Sequence, residues 1–207
     1  MKKNILTIIA LAAVPCAHAV QIAPTGYSID QTPDNGTYIY QDNAAGNKLT
    51  DGTFGGFPVN SQAAANSWLG FKDPLVNIDF EFDEVVSFNE IKVDTLQVGL
   101  GNIVLPSIFV YSSTDGSDWT LLNSIDNSPP SGTNNGYQLL PIPVTVDSQL
   151  LRVSLAFAEN GPWTFVSEIQ FFGDRRTPGQ NVPEGGATVA LLGLSMLGLG
   201  LIKRKRN

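Results

Sequence analysis

Residues 20–173 predict an all-β fold, a sandwich or jelly roll, on three observations. Residues 76–82, VNIDFEF, alternate apolar and polar without a fault, the period of a strand with one face buried. No stretch of this region keeps a 3.6-residue apolar period for a useful length. Short strand-like runs are separated by turn residues: Asp34-Asn35-Gly36, Thr114-Asp115-Gly116, Ser128-Pro129-Pro130-Ser131-Gly132 and Glu159-Asn160-Gly161-Pro162.

In chain order, strands are expected at 76–82, 90–98, 107–112, 119–125, 137–146, 151–157 and 165–172. The run 151–157, LRVSLAF, alternates like 76–82 but more weakly. Asp115-Gly116 reads as structural, because Asp bonds its own backbone and Gly accepts a positive φ. Trp163 follows a turn and opens a strand, so it is either core or a platform at the loop end. Residues 174–181, DRRTPGQN, have no periodicity and form a linker.

The N-terminus has the pattern of a secretory signal peptide over residues 1–19. Lys2 and Lys3 precede an apolar run over 5–14, and Ala17-His18-Ala19 supplies the cleavage site. A lipoprotein reading would need small residues before Cys16, and Pro15 fits that badly. Cleavage after Ala19 removes the chain's one Cys and one His. The exported part then has no disulfide, no thiolate metal site and no His-dependent nucleophile.

Seventeen of the nineteen acidic residues lie between 20 and 173, against four basic ones, Lys48, Lys72, Lys92 and Arg152. That balance excludes nucleic acid as a partner, since a phosphate backbone requires a Lys/Arg footprint. It disfavours an anionic membrane surface for the same reason. The excess acid either attracts cations such as calcium or keeps an exported protein soluble.

At the other end, residues 187–202 are uncharged and apolar and precede Lys203-Arg204-Lys205-Arg206. A helix of that length spans about 24 Å, short of a ~30 Å hydrocarbon core, and snorkelling cations make up the difference. The basic tail belongs on the cytoplasmic side, which places the domain outside. Val182-Pro183-Glu184-Gly185-Gly186, the apolar run and the basic end together resemble the PEP-CTERM class of bacterial sorting signals, closest to its VPDSG branch. Gly185 stands where the commonest form has a second proline. The resemblance implies a sorting signal over 182–207, with a transmembrane helix at 187–202. It also implies recognition by an exosortase-type transpeptidase and a membrane anchor that lasts only until processing.

Three segments resemble the discoidin, or factor V/VIII C-type, group of galactose-binding-like sandwiches. They are Lys48-Leu49-Thr50-Asp51-Gly52-Thr53 with Trp68-Leu69-Gly70; the run 110–119, VYSSTDGSDW; and the run 163–173, WTFVSEIQFFG. The resemblance implies a discoidin-like jelly-roll β-sandwich over 20–173, with Trp68 and Trp119 inside it. It also implies a structural calcium near the first loop, held by Asp51 and Glu168 with carbonyls around Lys48 and Thr53; carboxylates mixed with main-chain oxygens suit Ca²⁺. The alternative is that Asp51 only caps a turn and Glu168 lies at the surface. In sugar-binding members the loops at one end hold the ligand, and here the candidates are Phe54, Phe57, Asn60, Asn102, Asn160 and Trp163. Those loops lack an Arg or His, and Phe54 and Phe57 serve equally to hold the loop down.

Asp79 and Glu81 share a strand face, an arrangement solvated faces produce routinely, and no nucleophile motif accompanies them. The sequence therefore describes a non-enzymatic, exported, cell-surface or matrix protein. It is either a binding or adhesion module for extracellular polysaccharide, or a structural biofilm component with no specific ligand.

Overall fold

The computed structural model describes residues 19–33, 40–56, 66–98, 103–127, 136–156 and 163–175. The expected signal peptide up to residue 18, the part of the expected linker beyond Arg175, the segment Val182 to Gly186, the apolar run 187–202 and the basic tail lie outside these residues. So do Phe57, Asn60, Asn102 and Asn160. Among the described residues no helix is long and apolar enough to cross a membrane. The compact unit of interest ends at Arg175.

Among the described residues, eight antiparallel strands build it: β1 (Val20–Ile22), β2 (Gly26–Ile29), β3 (Leu69–Phe71), β4 (Leu75–Gln97), β5 (Ser107–Ser113), β6 (Thr120–Ile125), β7 (Gly136–Ala156) and β8 (Thr164–Arg175). The pairing order is β1-β8-β4-β7-β5-β6, with β2 on β4 and β3 on β8. Two pairs of expected strands are continuous. Residues 76–82 and 90–97 both belong to β4, and 137–146 and 151–156 both belong to β7. Asp83-Glu84, a pair with the composition of a turn, lies within the strand at a register shift between Glu81 and Val86. A second shift follows between Phe88 and Glu90. Irregularities of this kind bend a strand without ending it.

The bend allows one pair of strands to serve two layers. The first half of β4 pairs with β2 and with the second half of β7, whose other edge carries β5 and then β6. The second half of β4 pairs with the first half of β7 and with β8, which carries β1 and β3. One buried cluster joins the inner faces, including Ile78, Phe80, Val110 and Val153 from the first layer and Ile91, Val93, Ile169 and Phe171 from the second. Phe171 lies edge-on to Phe80 at 4.7 Å and to Phe82 at 5.2 Å, closing the sandwich where β4 bends.

β1, β2 and β3 have three or four residues each, too few to show a period. β8 runs two residues beyond the expected end of the domain. Asp174 and Arg175 pair with Ser87 and Val86, and Arg175 Nη1 holds Asp83 Oδ1 at 2.9 Å and Glu84 Oε1 at 3.1 Å. The strand thus takes in the first two residues of the segment 174–181 that was expected to be a linker.

Trp68 is fully buried, as expected. Trp119 is not a core residue: it is half-buried just before β6, with the Arg152 guanidinium 4.2 Å from its ring centroid. Inward positions beneath it are already filled by Val110 and Val153, so the indole lies on the outer face. Asp115-Gly116 is the structural turn predicted. Asp115 Oδ1 accepts the N–H groups of Ser117 (2.9 Å) and Asp118 (3.0 Å), and Gly116 has φ +78°.

Phe171 touches three other rings from a site with no solvent exposure. Phe171→Ala is expected to destabilise the domain by about 3–5 kcal/mol. Urea unfolding measures this, and a loss below ~1 kcal/mol would show that the layers do not meet there.

Candidate functional site

One end of the sandwich carries its own small core, separate from the main one: Tyr40, Trp68, Leu96, Ile103 and Phe165, with Val98 and Trp163 against it. The segment 48–56 closes over this core. Trp68 Nε1 donates to the Gly56 carbonyl at 2.9 Å. A Cβ on Gly55 would stand 2.0 Å from the Trp68 ring, so only glycine lets the loop lie flat there. Lys48 is buried, and its ammonium donates to the carbonyls of Gln41 and, at 3.1 Å, Trp68. Burial pushes its pKa down, opposed by Asp42 and Asp51.

The turn at Asp51-Gly52 reaches Glu168, more than a hundred positions away in the chain. Asp51 is exposed and accepts the Thr53 N–H at 2.8 Å, a turn that caps itself. Gly52, at φ +80°, aims its N–H at Glu168 Oε2, 3.1 Å away. Glu168 is fully buried, so the alternative of a surface glutamate does not hold. Its Oε1 has no hydrogen-bond partner. Burial pushes its carboxyl up to about 7, with Asp51 and Asp94 adding to the rise and the Gly52 N–H opposing it.

The sequence reading missed Asp94. It is the cross-strand partner of Glu168, is 1% exposed, and also has an unpartnered oxygen, Oδ1. Its other oxygen accepts the Ser167 hydroxyl. Burial raises its pKa, opposed by hydrogen bonds from Ser167 and Gly55. Within 90–98 it reads as an ordinary outward-facing strand residue. Only the loop folded over that face buries it.

Two neighbouring buried carboxylates, each with an orphaned oxygen, are costly as bare anions. They must take up protons or be met by a cation. The donors are all oxygens, the set a hard cation accepts. Among the described residues no three Asp, Glu, His or Cys side chains converge as a metal cluster. A cation here would draw its other ligands from main-chain carbonyls and water.

Of the predicted sugar-binding residues, Phe54 and Trp163 are described. Phe54 is 45% exposed on the closing segment. Trp163 is half-buried: Phe165 stacks on it at 5.4 Å and 12°, Tyr40 meets it edge-on at 5.4 Å, and Lys72 Nζ lies 4.2 Å from its ring centroid. Its ring is occupied by protein.

The sequence of residues 181–206 matches the VPDSG-CTERM motif. No curated protein matches the chain. Several solved structures share the fold. The CBM32 of AlyQ, in complex with 4,5-unsaturated mannuronic acid, aligns at 13% identity over 74% of this chain and 98% of that one, with a TM-score of 0.50. The C-terminal domain of a chitobiase from Bacteroides fragilis aligns at 13% identity over 76% and 100%, again with a TM-score of 0.50. A Clostridium perfringens ZmpB structure containing two CBM32 domains and an M60 catalytic domain aligns at 14% identity and a TM-score of 0.50, over 74% of this chain but 15% of that one. The chain thus places a β-sandwich with the fold of CBM32 domains ahead of a VPDSG-CTERM motif.

Proposed function

We propose that this is an exported, non-catalytic surface module that binds extracellular carbohydrate, steadied by a structural calcium and delivered by its C-terminal signal. The observation that carries the binding reading is Phe54, an exposed aromatic on the segment closed over the Glu168–Asp94 pair. Aromatic rings offer the apolar faces of sugars a stacking surface without needing a charge. The CBM32 fold supports the same reading, as a likeness of fold alone. The occupied ring of Trp163 favours the second reading, a surface component whose aromatics serve packing only. On a glycan array probed with folded, calcium-loaded protein, Phe54→Ala is expected to abolish retention of at least one glycan that the wild type holds. A blank array from the wild type would favour the structural component.

Calcium would be held by Glu168 and Asp51, with carbonyls around Lys48 and Thr53, and with Asp94 alongside. Its role there is to neutralise buried carboxylates and pin the loop; it takes part in no reaction. Without metal, Glu168 keeps its proton in the folded state up to about pH 7, whereas in the unfolded chain it releases it near pH 4.3. The folded state therefore binds more protons between these values, and stability falls as pH rises from about 4.5 to 7. The slope from one such group is at most about 1.4 kcal/mol per pH unit. The melting temperature without metal should decline across this window. Millimolar calcium should raise it more at pH 7.5 than at pH 5, because cation and proton compete. Glu168→Gln should reduce the slope of the metal-free profile, leaving Asp94's share, and remove the calcium response. An unchanged melting temperature with calcium at pH 7.5 would end the metal proposal.

The tail reading is tested in the cells that make the protein. Alanine in place of Val182 to Gly186 should leave the chain in the membrane fraction, while the wild type is released or re-attached in a shorter form. Identical fractionation and size would remove the sorting role from these residues.

A further inference from the structure

We propose that the outer face of the first layer is a second carbohydrate site, a groove for an uncharged polysaccharide chain centred on Trp119. The inference rests on the carbohydrate-binding reading above but not on the loop end as its location.

The register builds the groove. Ser28, Asp79, Arg152 and Tyr111 lie in one row across β2, β4, β7 and β5. Asn77, Ser154 and Phe109 form the next row. Inward neighbours Ile78, Val153 and Val110 are buried in the core, so Asp79, Arg152 and Tyr111 face outward. Two hollows share Trp119 as a wall. One, of about 390 Å³, is lined by Gly26, Tyr27, Ser28, Asp79 and Leu150; the other, of about 360 Å³, by Asn77, Phe109, Tyr111, Arg152 and Ser154. Each is within the size of small-ligand sites, roughly 300–1,000 Å³. Adjoining hollows across one indole suit consecutive residues of a chain better than a single sugar.

The polar groups are fixed in place. Arg152 grips Asp79 in a two-pronged pair, Nε to Oδ1 at 2.6 Å and Nη2 to Oδ2 at 2.8 Å, while lying against Trp119. Two of its five N–H donors are used on Asp79, which leaves donors for hydroxyls. Ser154 Oγ donates to Asn77 Oδ1 at 2.5 Å, and Asn77 Nδ2 donates to Asp30 at 2.7 Å. Such a network holds planar polar groups and rings at low entropic cost to the ligand complex.

Charge selects the ligand class. Arg152 and Asp79 cancel, and Asp30 and Glu81 remain beside the groove. Lys48 and Lys72 are at the loop end, and Lys92 is paired with Glu90. An acidic polysaccharide would meet unbalanced carboxylates, whereas a neutral one would not.

The test uses purified full-length protein and isothermal titration. The probes are glucose-, galactose-, mannose- and xylose-based hexasaccharides, their disaccharides, and a uronate hexasaccharide. At least one neutral hexasaccharide should bind tenfold or more tightly than its disaccharide and the uronate. Trp119→Ala and Tyr111→Ala should each weaken it at least tenfold, with Trp119→Phe recovering part. If Trp119→Ala does not fold, oxidative footprinting of the wild type replaces it, and the bound hexasaccharide should protect Trp119. Binding lost in Phe54→Ala but untouched in the Trp119 and Tyr111 variants overturns the groove and leaves the loop-end reading intact. Failure of every neutral hexasaccharide to bind overturns the groove, and with a blank glycan array it overturns both.

Discussion

The structure depends on one constraint: β4 and β7 are too long to stay in a single layer. Strands of 23 and 21 residues, paired along nearly their whole length, must bend to bury both of their apolar runs. The register shift between Glu81 and Val86 provides the bend, and the rings of Phe80, Phe82, Phe88 and Phe171 fill its inside. Every other strand is positioned by which half of this pair it joins. β2, β5 and β6 extend one layer, while β8, β1 and β3 extend the other. The two surfaces of interest follow from that division, one at the end where the second half of β4 meets β8, the other on the outer face of the first half.

Much of this was legible in the sequence because side-chain alternation is a local signal. Residues 76–82 gave their strand and their buried face correctly. The continuity of β4 was not legible. Asp83-Glu84 has the composition of a turn, and only pairing with Ser148 and Arg175 beyond it shows that the strand goes on. Trp119 failed for a related reason. The family pattern implies an inward indole at this position, but here the ring lies on the outer face with the Arg152 guanidinium against it. The Asp51–Glu168 approach was readable only through resemblance to a family, since nothing local in 163–173 shows which loop will cover it.

Asp94 illustrates how burial by a distant segment changes a residue's chemistry. In an open sheet it would be an ordinary solvated carboxylate. The segment 48–56 seals it against Glu168 and converts two acidic residues into a site that demands either protons or a cation. The same closure fixes Trp68 beneath Gly55 and leaves Phe54 at the surface. Sealing the carboxylates and presenting the exposed ring are thus one conformational event. Whatever neutralises the carboxylates also sets how firmly the aromatic is held, which ties occupancy of the inner site to geometry at the outer one.

The four basic residues between 20 and 173 show how so acidic a domain uses its cations. Lys48 is anchored on main-chain carbonyls. The other three each lie over a ring: Lys72 over Trp163, Lys92 over Phe172 and Arg152 over Trp119. Cation–π contacts of this kind are worth roughly 0.5–1 kcal/mol at exposed sites. That is too little to hold a fold together but enough to fix the orientation of a ring on a surface. Deployed in this way, the cations form no patch that could attract a polyanion. The remaining charge is almost all carboxylate. The surfaces left for recognition offer rings, amides and hydroxyls, chemistry that suits an uncharged, hydroxyl-rich polymer and repels an acidic one.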